Sequence, residues 1–120
     1  MKQSISFFNL LLFLFFSSYI LTMSAQTTWI GGTGDWHEPS NWDTGQIPSS
    51  YDVVIIEQGE VHIQSGNSAF ALFLKSSANL LMVESNAELI VEKGYKGLGL
   101  HNLGILNVEG NLYVLETISP

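Results

Sequence analysis

The chain has 120 residues, a formal net charge of −7, no cysteine, and four basic residues, all of them lysines. Gripping a phosphate backbone requires clustered Lys and Arg, so this composition excludes a nucleic-acid partner and argues equally against an anionic membrane surface. It also excludes a disulfide framework, so a small exported chain must draw its stability from another source.

Residues 1–25 read as a signal peptide. Lys2 supplies a short positive region, Ile5 to Leu21 is almost wholly apolar, and Thr22-Met23-Ser24-Ala25-Gln26 offers a small-residue site with cleavage expected after Ala25. A membrane anchor is the rival reading. Spanning a bilayer takes about 20 apolar residues, and Ser17 and Ser18 interrupt a stretch that is already short. The expectation is therefore bacterial export, a secreted or cell-surface location, and no stable membrane span after cleavage. Lack of cysteine suits bacterial export.

Residues 26–50 read as an N-terminal cap rich in Trp and Gly. All three tryptophans fall here, in Trp29-Ile30-Gly31-Gly32-Thr33-Gly34-Asp35-Trp36 and Asn41-Trp42-Asp43. Large aromatic rings bury much area and suit a lid over an open end. The competing use of Trp29, Trp36 and Trp42 is a stacking platform for sugar rings. The glycines make no phosphate loop, because no Gly-Lys-Ser or Gly-Lys-Thr follows them. Asp35, Glu38, Asn41 and Asp43 carry hard oxygen donors that could hold calcium. Their spacing misses the helix-loop-helix calcium pattern, and Asn and Asp more often cap turns through the backbone. Calcium is thus the weaker reading, and no cofactor is expected.

Residues 51–120 read as β-solenoid coils that stop before the solenoid is complete. Val53-Val54-Ile55-Ile56 is a β-branched run. Val61-His62-Ile63 follows, then Leu72-Phe73-Leu74, Leu81-Met82-Val83, Leu89-Ile90-Val91, Leu98-Gly99-Leu100, Leu106-Asn107-Val108 and Leu112-Tyr113-Val114. Each triplet puts its first and third residues on one face of a strand. Turn residues separate them, as in Ser85-Asn86-Ala87 and Glu109-Gly110-Asn111. Leu72 to Leu89, Leu81 to Leu98 and Leu89 to Leu106 are each about 17 residues apart, which predicts a coil of that circumference. The expected fold is all-β, a right-handed parallel β-helix. An antiparallel β-sandwich is the alternative, since strands at such intervals fit it as well.

The string from Trp29 to Trp36, then Asn41-Trp42, Ile47-Pro48 and Asp52-Val53-Val54-Ile55, resembles the opening of large secreted bacterial surface proteins of the adhesin and autotransporter-like β-helix type. Gly104-Ile105-Leu106-Asn107-Val108-Glu109-Gly110-Asn111-Leu112-Tyr113-Val114 is similar to their repeats. The resemblance covers roughly residues 27–116. It implies a surface-exposed solenoid. It implies no catalytic residue.

The remaining polar residues add little chemistry. His37, His62 and His101 lack metal-ligand spacing. Glu92 and Glu109 lie one expected coil apart and would stack as neighbouring rungs. Glu84 and Glu88 could share their face, most simply as a solvated one. No serine has a nucleophile-elbow sequence. The function expected is a non-enzymatic, exported segment that presents a surface to a glycan or a cell-surface protein, its oligomeric state left open. The alternative is an accessory β-helix part of a secreted carbohydrate-active enzyme, a polysaccharide lyase or hydrolase.

Overall fold

In the computed structural model, which describes residues 25–92 and 99–115, the β-branched run lies in a strand, as its composition predicts. The strands follow one another around three sides of a solenoid of about four turns. The first turn has β1 (Ala25–Thr28) and β2 (Thr33–Asp35), then a long loop containing a 3-10 helix at Pro39–Asn41. The second has β3 (Asp52–Ile56), β4 (Glu60–Ile63) and β5 (Ser68–Ala71). The third has β6 (Phe73–Ser76), β7 (Leu80–Val83) and β8 (Glu88–Val91). The fourth has β9 (Leu100–Asn102), β10 (Leu106–Val108) and β11 (Asn111–Val114).

Stacking these turns gives three sheets: β1-β3-β6-β9, β2-β4-β7-β10 and β5-β8-β11. Every strand pair among the described residues is parallel, which removes the antiparallel sandwich. The segment expected to be cap alone thus contributes two rungs of the first turn before its loop departs. β1 begins at Ala25, the residue after which cleavage is expected.

The inward residues form vertical rows. Val54 lies in register with Leu74, Val61 with Leu81, and Ala69 with Leu89; all six are buried. Burying a Val or Leu side chain contributes about 1.5–3 kcal/mol, and such rows together with the backbone ladders stand in for absent disulfides.

The turns of this solenoid are 20 to 27 residues long, not 17: paired strands lie 27 residues apart between the first and second turns, 20 between the second and third, and 23 to 26 between the third and fourth. The expected pairs are not stacked. Leu89 lies in the third sheet and Leu106 in the second, while Leu72 precedes β6 at a corner. Leu98 lies outside the described residues. One corner repeats at the 20-residue spacing of the second and third turns as well. Gly66 (φ 86°) and Asn86 (φ 63°) both adopt the left-handed conformation at one corner, where the Gly66 N–H donates to the Asn86 carbonyl. Asn is the non-glycine residue best suited to that conformation.

Candidate functional site

The three tryptophans meet in one buried cluster. Trp29 continues β1 and its N–H donates to the Ile55 carbonyl; Trp36 continues β2 and its N–H donates to the His62 carbonyl. Trp42 comes back over both from the loop. Its ring meets Trp29 edge-on with centroids 5.2 Å apart, and Trp36 likewise at 5.0 Å. Aromatic pairs favour this T-shaped geometry. The three side chains are 4, 0 and 1 % exposed. A sugar ring needs an open aromatic face, and these rings present none to solvent.

The loop between β2 and β3 also closes the backbone. A terminal turn leaves one edge of each sheet unpaired, which invites association with other chains. On β1, the Asp43 N–H donates to the Thr28 carbonyl and the Asp43 Oδ1 accepts from the Thr28 N–H, at 2.9 and 2.8 Å. On β2, Asn41 Nδ2 donates to the Asp35 carbonyl at 3.0 Å. On β5, His37 Nε2 donates to the Ser68 carbonyl at 2.8 Å. One loop thereby engages all three exposed edges. Asn41 can enter because Gly31 and Gly34 carry no side chain; a Cβ on Gly34 would lie 2.8 Å from Asn41 Nδ2.

This accounts for the residues considered for calcium. Asp35 Oδ1 accepts from the His37 N–H, and Glu38 accepts from the Ser40 hydroxyl at 2.9 Å. Asn41 and Asp43 are engaged as above. The structure uses Asp35, Glu38, Asn41 and Asp43 as turn and edge partners, and no three Asp, Glu or His side chains among the described residues are grouped to hold a metal ion. The edge-closing role depends on which strand ends the loop crosses, which composition does not show.

The acidic pairing expected between Glu92 and Glu109 does not form. Glu92 follows β8 in the third sheet, whereas Glu109 follows β10 in the second. Glu88 lies in β8, where it accepts from the Ser68 hydroxyl at 2.7 Å. The acid that stacks with Glu109 is Glu84: the Glu109 N–H donates to the Val83 carbonyl, which sets 109 beside 84. His62 points outward from β4, 3.8 Å from Glu60 and 3.9 Å from Glu84. His62, Leu80, Met82, Glu84, Asn107 and Glu109 line a shallow groove of about 480 Å³ on the outer face of the second sheet, completed by Ser65 and Ser85.

The outer faces of the other two sheets differ. On the third, Phe70, Ile90 and Tyr113 share one ladder, beside a second of Ser68, Glu88 and Asn111. Phe70 and Tyr113 are 37 and 46 % exposed. On the first, Ile55, Lys75 and His101 share a ladder. Compared with known proteins, the chain matches no family model, no curated protein and no solved structure.

Proposed function

We propose that the chain is an exported, non-enzymatic β-solenoid segment of a cell-surface, adhesin-like protein, and that its outer faces serve attachment to a glycan or a protein. The observation that carries this reading is the ladder of Phe70, Ile90 and Tyr113 beside Ser68, Glu88 and Asn111. Inward rows and backbone pairing hold the coils. Outward residues are released from that duty and recur at the rung spacing of about 4.8 Å. Exposed aromatic rings suit the apolar face of a sugar, and the neighbouring hydroxyl, carboxylate and amide suit its hydroxyl groups.

The test is retention of the purified chain on a panel of immobilised polysaccharides. The unaltered chain is expected to be retained on at least one of them. Phe70→Ala combined with Tyr113→Ala is expected to weaken that retention about tenfold, the effect of losing roughly 1.4 kcal/mol. Retention unchanged in the double variant would remove this face from the proposal. Release of shortened or unsaturated sugars would favour the accessory part of a carbohydrate-active enzyme instead.

A further inference from the structure

The groove on the second sheet combines features that its neighbours lack. Its floor is Leu80 and Met82, both half-buried, and its rim carries Glu84, Glu109, His62 and Asn107. All four turns place an acid on or beside this face: Asp35, Glu60, Glu84 and Glu109. Asp35 is taken up by His37. The described residues contain one lysine, Lys75, and it lies on the first sheet. The groove therefore has an apolar floor and an anionic rim, and no lysine among the described residues lies on it.

We propose that this groove is a docking site for an extended, lysine-bearing segment of a partner protein. The inference rests on the reading of the outer faces as attachment surfaces. A lysine side chain fits both parts of the groove. Its aliphatic stem lies along Leu80 and Met82, and its ammonium reaches the carboxylates. Glu84 and Glu109 sit on successive rungs, about 4.8 Å apart along the stack. A compact ammonium with three rotatable donors can bridge two such carboxylates, whereas the planar fork of arginine is matched to one. Asn107, Ser65 and Ser85 then offer partners to the peptide groups of an extended segment.

The test is fluorescence anisotropy of a labelled lysine-containing peptide titrated with the purified chain. The probe is compared with its Nε-acetylated counterpart, with 1,5-diaminopentane as a competitor. The lysine peptide is expected to bind and its acetylated form is not. Glu84→Gln with Glu109→Gln, isosteric changes at a half-buried and an exposed position, is expected to weaken binding about tenfold or more. Glu92→Gln on the third sheet is expected to leave it unchanged. The proposal is overturned by no binding of the lysine peptide, by equal binding of its acetylated form, or by binding indifferent to the double variant. Competition by the diamine as tight as the peptide would also overturn it, because the site would then select free amines. Polysaccharide retention through Phe70 and Tyr113 is read separately, so loss of one reading does not mimic loss of the other.

Discussion

Trp36 and Trp42 are equally buried, yet their indole N–H groups fare differently. Trp42 Nε1 donates to the Trp36 carbonyl at 2.8 Å, whereas Trp36 Nε1 is buried without a hydrogen-bond partner among the described residues. Leaving a buried donor unpaired costs about 1–3 kcal/mol. Trp36→Phe removes that cost along with the ring volume, while Trp42→Phe removes a satisfied bond and leaves a carbonyl behind. Trp42→Phe is therefore expected to destabilise the chain by about 1–3 kcal/mol more than Trp36→Phe. Urea unfolding followed by circular dichroism measures the difference, and equal losses would contradict the assignment. The segment carrying these rings stands out in the sequence. The wedge role of Asn41 was not legible, because it depends on the loop folding back between Gly31 and Gly34.

At the scale of the strand, alternation was readable and the turn length was not. Leu81 and Val83 point inward together, as do Leu89 and Val91, which the triplets predict. The spacing of 17 misled because it links residues on different sides of the coil. The true partners of Leu81 and Leu89 in the turn before are Val61 and Ala69, so a search for recurring leucine passes over them. The alanines have a packing reason. β5 is the end strand of the third sheet, met by the loop through His37 and Ser68 and not by another strand among the described residues, and Ala69 and Ala71 belong to the one buried core. Ala69→Leu is expected to overfill this space and cost about 1–3 kcal/mol. The thermal unfolding midpoint of the variant tests this, and a midpoint that rises would mean that the interior holds a void beside Ala69.

At the scale of the molecule, the two ends are unlike. The first turn has its edges engaged by one loop, whereas β9, β10 and β11 each pair on one side only among the described residues. Leu103 and Ile105 are 67 and 62 % exposed at that end, and Leu100, Leu106 and Leu112 are only partly buried against the core. This end presents the same inward positions that the third turn presents to the fourth, and an edge of this kind accepts another strand readily. Such polarity was not visible from composition, since the apolar triplets look alike along the whole chain. In the structure only their place in the stack distinguishes them.

Parallel stacking of turns 20 to 27 residues long also gives the molecule a mechanical unit. Each turn touches only its neighbours, so a load applied between the chain's two ends peels the outermost turn before the next one feels it. Peeled turns of 20 to 27 residues stretch to about 66–97 Å, at roughly 3.3–3.6 Å per residue. Single-molecule pulling is expected to show lengthening in steps of this size, starting at the fourth turn and ending at the tryptophans. One abrupt event spanning the whole stack would show instead that the turns yield together.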